Sequence, residues 1–230
     1  MNVPVDDFAD TLAGNDYPGR GLVLARTVRQ GICVVYFMTG RSPASRDRVL
    51  VREGDALYAR ARSATGFDPL RHYRAVTIGP DCCVIGNGDQ VDAVTANLKT
   101  LPPAAAVQGI EFEPDPPLRT PRITAVVPRE PGPMLIARSR ASVLDPERTL
   151  VTTVTVDDFE PGRGLLTTTY LSWDQEVIST SHPPAEVAVT ATDADELLDI
   201  VWSALPADLR VAAAVVEPHA PDPLRTLPRL

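Results

Sequence analysis

Short apolar runs closed off by proline or turn residues constrain this chain more than any other feature. Ile32 to Met38, Tyr73 to Ile78, Cys82 to Ile85, Ile123 to Val127 and Val211 to Val216 are rich in β-branched and aromatic residues. Each is too short for an ordinary helix and is bounded by Gly, Asp or Pro, so each reads as a strand. Further strands are expected at Gly21 to Val28, Val49 to Arg52, Ala56 to Arg62, Met134 to Arg138, Leu150 to Val156, Leu165 to Ser172 and Val187 to Thr190. The links "RQG" and "GPD" suit tight antiparallel turns. The chain has 23 prolines, and their clusters at 102–103, 114–121, 128–133 and 183–184 read as stiff connections.

Helical spacing breaks the pattern in few places. Val91, Val94, Leu98 and Leu101 share one face, with Asp89 as a cap and Pro102-Pro103 as a stop. A shorter helical piece is expected over Ala104 to Gly109. A second amphipathic helix runs from Asp193 to Leu205, capped by Thr192 or Asp193, with Leu197, Leu198, Val201, Trp202 and Leu205 as its apolar face. Several strands lack clean alternation, which suits sheets covered on both faces. The expected class is therefore α+β: mostly antiparallel sheets, sheet against sheet with helices outside, in a single domain over residues 1–230. Residues 1–16 read as a leader, left as a flexible candidate. "DDF…YPGRG" near the N-terminus echoes "DDFEPGRG" at Asp157, and "PDPPLRTPRI" echoes "PDPLRTLPRL", but at different offsets, so a tandem duplication is not implied.

Composition narrows the function. A net charge of −8 argues against nucleic acid as a partner. No run of 18 apolar residues is present, so no membrane span is expected. The acidic N-terminus does not resemble a signal peptide. Three cysteines, two of them adjacent, make no disulfide framework, and a cytoplasmic, reducing location follows as the expectation.

Against this acidic background, the strand Ile32 to Met38 runs into Thr39, Gly40 and three arginines, Arg41, Arg46 and Arg48. Arginine on a rigid strand end suits bidentate recognition of phosphate or carboxylate, with Ser42 and Ser45 as further donors; a solvated loop would read the same way. At "VIGNGDQVDAV", Asn87-Gly88 leads from a strand into a helix, where backbone N–H groups can meet an anion, although an ordinary turn and cap explain the same residues. At "IEFEPDPPLRTPRI", Glu111, Glu113 and Asp115 precede Arg119 and Arg122, an acid–base set or a set of surface ion pairs. Cys82 and Cys83 lie in an apolar strand and read as core thiols. His72, His182 and His219 have no metal-ligand spacing, and His72 alone is placed where it can face a site.

Taken in order, "YPGRG" (Tyr17 to Gly21), Tyr36 with Arg41, Ser42 and Arg46, the Tyr73 strand, Asn87-Gly88 with Asp92, and Glu113 with Thr120 to Ile123 resemble the archaeal-type IMP cyclohydrolase family. The resemblance implies a four-layer αββα sandwich like that of N-terminal nucleophile hydrolases, without the terminal nucleophile. It implies closure of 5-formamidoimidazole-4-carboxamide ribotide to inosine monophosphate and water, with no cofactor and no metal. Under it, Arg41, Tyr73, Asn87 and Glu113 are the catalytic candidates. Arg20, Tyr36, Ser42, Arg46 and Arg122 are the candidates for substrate and phosphate binding. The expected partner is a purine-precursor ribonucleotide, not a nucleic acid or a membrane, and a homo-oligomer stays open. Two alternatives stand beside this: a purine-nucleotide-binding protein without turnover, and a cyclohydrolase for a related nucleotide in secondary metabolism. A cysteine-dependent amide hydrolase is disfavoured by the apolar setting of the thiols.

Overall fold

A computed structural model describes residues 5–29, 31–63, 66, 68–173 and 176–228. The short apolar runs form two antiparallel sheets. One is built from β1 (Arg20–Arg26), β2 (Ile32–Thr39), β10 (Arg163–Thr168), β13 (Ala185–Ala188), β14 (Arg210–Val216) and β15 (Leu224–Leu227), in the order β13-β10-β1-β2-β14-β15. The other is a meander whose strands pair in chain order. They are β3 (Arg48–Glu53), β4 (Ala56–Ala61), β5 (Tyr73–Ile78), β6 (Cys82–Gly86), β7 (Arg122–Pro128), β8 (Met134–Ala141) and β9 (Thr149–Val156). A separate hairpin joins β11 (Tyr170–Trp173) to β12 (Glu176–Ser179). The run expected as one strand from Leu165 to Ser172 is therefore broken at Thr169, where the chain leaves the first sheet.

The central strands β1, β2, β6, β7 and β8 lack simple amphipathic patterns because both their faces are covered, whereas β3 and β9 keep exposed positions. Leu22, Leu24, Val34, Tyr36, Ala214 and Val216 of the first sheet pack with Ile85, Ile123, Ala125 and Ile136 of the second in one core cluster. The intervening residues of the first sheet, Val23, Val35, Phe37 and Val215, pack on Phe8 and Leu12 of α1 (Phe8–Ala13) and on Leu197, Leu198 and Val201 of α5 (Ala194–Ala204). Val84, Val126, Leu135 and Ala137 of the second sheet pack on Val91 and Val94 of α3 (Gln90–Asn97) and on Ala106 of α4 (Pro103–Ala106). The fold is thus α+β with mostly antiparallel sheets. Fully burying one Leu, Val, Ile or Phe contributes roughly 1.5–3 kcal/mol, so three such clusters account for the fold without a disulfide. All three cysteines are free thiols.

Local corrections follow the same logic. The segment read as a leader contains α1, whose Asp7 side chain caps Ala9 N at 2.8 Å and whose Phe8 is fully buried. Asp193 caps α5 by accepting from Glu196 N at 3.0 Å. Asp89 sits at the N-cap of α3 but makes no cap bond, because its carboxylate pairs with Arg122. That helix ends at Asn97, short of Leu101. No helix among the described residues is long and apolar enough to cross a membrane.

Candidate active site

β1 packs over β7, and β2 over β6. At one end of this stack the starts of β1 and β7 meet the ends of β2 and β6, bringing Arg20, Thr39, Gly86 and Arg122 to the same edge of the molecule. Arg20 and Glu113 form the floor of a cleft of about 360 Å³ there. Its walls carry Tyr17, Ser42, Ser45, Arg48, Arg71 and Tyr170.

The floor is an ion pair. Arg20 donates from Nη1 to Glu113 Oε1 at 2.8 Å and from Nη2 to Oε2 at 2.9 Å, with a further bond from Nη1 to the Asn87 carbonyl at 3.1 Å. Both residues are buried. Burial lifts the Glu113 carboxyl above its ordinary value, and Arg20 opposes that shift. Burial alone would lower the Arg20 guanidinium, but the charge of Glu113, with Tyr73, Tyr170 and Tyr36 nearby, holds it above its ordinary value. The geometry is a fork facing a carboxylate, the strongest arrangement for such a pair.

Asn87 is the residue that fixes this floor. Its Nδ2 donates to the Pro121 carbonyl at 2.9 Å and to Glu113 Oε1 at 3.4 Å. Its Oδ1 accepts from Ile123 N at 2.8 Å and Gln90 Nε2 at 3.0 Å. The amide's capacity is therefore spent within the protein. It ties β6 to β7 and supports the carboxylate. Arg122 lies behind, paired with Asp89, and its charge also acts on Glu113.

Two hydroxyl chains flank the floor. Tyr36 Oη and Tyr73 Oη are 2.7 Å apart, and either can donate. In such a pair one O–H is used internally and the other remains to give. Tyr36 is pushed up by burial and by Tyr73, with Arg20 opposing. On the other side Thr120 Oγ1 donates to Asp115 Oδ2 at 2.5 Å and is hydrogen-bonded to Tyr170 Oη. With the Thr120 proton directed at Asp115, Tyr170 is the donor in that contact. The ring of Tyr170 stacks on Tyr17 at 5.6 Å and 16°, and Arg41 lies over Tyr17 at 4.6 Å from its centroid.

Two glycines permit this closeness. A Cβ on Gly19, which has φ +71°, would sit 2.4 Å from the Tyr170 ring. One on Gly40 would meet the Ser45 backbone at 2.7 Å, so only glycine lets the chain after β2 fold back into α2 (Pro43–Arg46). Ser42 and Ser45 cap this turn reciprocally.

The structure therefore brings Arg20, Tyr36, Tyr73, Asn87 and Glu113 into one buried cluster. Ser42 lines the cleft, and Arg41 joins the site through Tyr17. Arg46 is exposed on the last turn of α2 and is not among the lining residues; Arg48 is, donating to the carbonyls of Thr39 and Ser45 at 3.0 and 2.8 Å. Arg71, paired with Asp68 at 2.7 Å, also lines the cleft. Arg71 and Tyr170 were not singled out by sequence, and Tyr17, Asp115 and Thr120 appeared there only within longer motifs, with no role of their own. Thr120 and Asp115 fall inside a stretch that drew attention for its charges, whereas Tyr170 has no local signal. His72 hydrogen-bonds with the backbone of Asp68 and Ala61 rather than facing the cleft floor. Burial pushes the thiols of Cys33 and Cys83 up to about 12 and about 11, which removes them as nucleophiles near neutral pH.

The profile of one family, described as IMP cyclohydrolase-like protein, matches residues 17–220. The chain belongs to that family. The matched span begins at Tyr17 and contains every residue of the cleft named above. For an IMP cyclohydrolase-like protein a cyclohydrolase-type, hydrolase-like activity is the coarse expectation, and an acid–base cluster beneath a small-molecule cleft is compatible with it. No curated protein matches the chain.

Proposed function

We propose that this protein closes the second ring of a purine, converting 5-formamidoimidazole-4-carboxamide ribotide to inosine monophosphate and water. The observation that carries this reading is the buried Arg20–Glu113 pair in a cleft that Arg48 and Arg71 also line. A carboxylate with its arginine and two further guanidinium groups lining one cleft suit a substrate that carries both a reacting amide pair and a phosphate.

The chemistry is intramolecular. The carboxamide nitrogen attacks the formyl carbon, and the formyl oxygen leaves as water. One proton leaves the carboxamide nitrogen as the C–N bond forms; a second leaves the formamide nitrogen as the oxygen departs. Holding the two groups in register contributes up to about 7–11 kcal/mol in the best-aligned intramolecular cases. Glu113, held ionised by Arg20, takes the proton of the attacking nitrogen. The unspent O–H of the Tyr36–Tyr73 pair donates to the formyl oxygen as charge develops on it. The Tyr17–Tyr170 stack, capped by Arg41, forms the aromatic wall for a flat imidazole. Arg48 and Arg71 bind the ribose phosphate.

This assignment moves the phosphate role from Arg46 to Arg48 and makes Asn87 a positioning residue for Glu113. It keeps Tyr73 and Glu113 in the proton roles and Arg122 as a support behind Glu113. One domain, a four-layer αββα arrangement of the N-terminal nucleophile hydrolase type, and a cytoplasmic location complete the reading. The three core clusters, one between the sheets and one beneath each helical face, support the layer order.

The test is direct: purified protein is mixed with the formylated ribotide, and the ultraviolet change of hypoxanthine formation is followed. A parallel run with the unformylated ribotide reports binding without turnover. Tight binding of both, with no spectral change, would make this a binding protein instead.

A further inference from the structure

A second cleft, of about 240 Å³, lies on the far side of the loop that carries Asp115 and Thr120. Arg119, Arg140, Ser142, Ser179, Thr180 and Ser181 are among its lining residues. Its electrostatics run against the rest of this acidic protein. Arg138 stands beside it, only 3% exposed, and binds the carbonyls of Thr168, Thr180 and His182 and the Thr167 hydroxyl. Among the described residues no carboxylate pairs with Arg138 or Arg140. Burial, then repulsion from Arg140, brings the Arg138 guanidinium down to about 10. Among the described residues the one carboxylate bonded to Arg119 is Glu147, whose side chain is 80% exposed and which takes Nη2 alone.

Buried or half-buried guanidinium groups without counter-charges are costly, and they normally find an anion. The backbone at Arg119 points the same way. Its φ of +45° is left-handed, a conformation that costs a non-glycine residue about 1–3 kcal/mol and that clusters at ligand sites. Ser179 and Thr180 spend their hydroxyl protons on the Leu118 and Thr168 carbonyls, but Ser142 Oγ accepts from Leu144 N and Asp145 N at 3.2 and 3.3 Å, leaving its proton unspent.

We propose that this cleft is an anion site, separate from the cleft above Glu113, that takes the phosphoryl group of a small metabolite. Arg140 and the remaining nitrogens of Arg119 grip the oxygens, Ser142 and Ser181 donate to them, and Arg138 supplies charge from beneath. Glu147 competes with the ligand for Arg119. Because the loop between Asp115 and Thr120 contributes to both clefts, occupancy here bears on the position of the Thr120–Tyr170 contact.

Calorimetric titration with inorganic pyrophosphate tests this on the intact protein, comparing wild type, Arg140→Gln and Glu147→Gln. The wild type binds with a component that Arg140→Gln weakens by about tenfold or more, as expected for loss of a charge-assisted contact. Glu147→Gln, which removes the competing carboxylate and touches nothing in the core, binds more tightly. A nucleoside monophosphate titrated in the same way reports whether the phosphoryl group is read alone or with its nucleoside. Identical isotherms for all three proteins, or no binding of either probe, would overturn the proposal. Should Arg140→Gln fail to fold, an unchanged affinity in Glu147→Gln overturns it equally.

Discussion

Arg20 and Glu113 are 93 positions apart and meet fork to fork, at 2.8 and 2.9 Å, inside the protein. Neither can leave without stranding the other. Truncating one partner of a buried pair typically costs about 3–5 kcal/mol, whereas replacing both by apolar groups of similar shape is often nearly neutral. Arg20→Met, which strands the buried Glu113 carboxylate, is therefore expected to lower the unfolding free energy by a few kcal/mol. Arg20→Met with Glu113→Gln together should recover part of that loss. Urea denaturation of the two single variants and the double variant gives the coupling directly.

The same burial sets a pH signature. Burial raises the Glu113 carboxyl above the ordinary 4.5. A base with a raised value loses its proton later, so the acidic limb of kcat/KM should fall at a pH above 4.5. For stability the sign is the reverse of the usual carboxylate case. The contribution from a raised group is fully present below the unfolded value and is lost as pH rises through the folded one. A pH–rate profile whose acidic limb sits at or below the ordinary glutamate value would remove Glu113 as the base.

Arg46 and Arg48 are two positions apart and are expected to differ sharply. Arg48 is buried and lines the cleft; Arg46 is exposed on α2. Arg46→Ala should change stability by no more than about 0.5 kcal/mol, as ordinary surface substitutions do, and leave KM unmoved. Arg48→Lys keeps the charge but loses the fork that reaches Thr39 and Ser45, and should raise KM by about tenfold. Steady-state kinetics on the two variants separates them.

The thiols should be bystanders. With Cys33 and Cys83 held near 12 and 11, almost no thiolate is present at pH 7.5. Treatment with iodoacetamide is expected to leave turnover intact, and rapid inactivation would revive a cysteine mechanism.

Much of this architecture is legible in the sequence because the central strands of both sheets are covered on both faces and so appear as unbroken apolar runs bracketed by turns. Tyr73–Ile78 is read to the residue. The elements that escape are those whose signal is not local. α1 is six residues long, and what holds it is Phe8 and Leu12 docking on a sheet formed far along the chain. β15 lies in a proline-rich tail and exists through its pairing with β14. At the site, Arg20, Asn87 and Glu113 each have an ordinary turn or surface explanation when read singly. Only the fold shows that Asn87 spends its hydrogen bonds on Pro121, Ile123, Gln90 and Glu113, bracing the loop beside the Arg20–Glu113 pair. Arg46 looks equivalent to Arg48 in the sequence; the difference is that Gly40 lets the chain turn so that Arg48 points inward.

The most direct measurement is a single-turnover experiment with the formylated ribotide on wild type and Glu113→Gln, following hypoxanthine absorbance. The wild type should form the ring, and the variant should bind the ribotide while its rate falls by about 100-fold or more, the usual scale for a lost general base. Equal rates in the two proteins, or no ring closure by the wild type, would contradict the account.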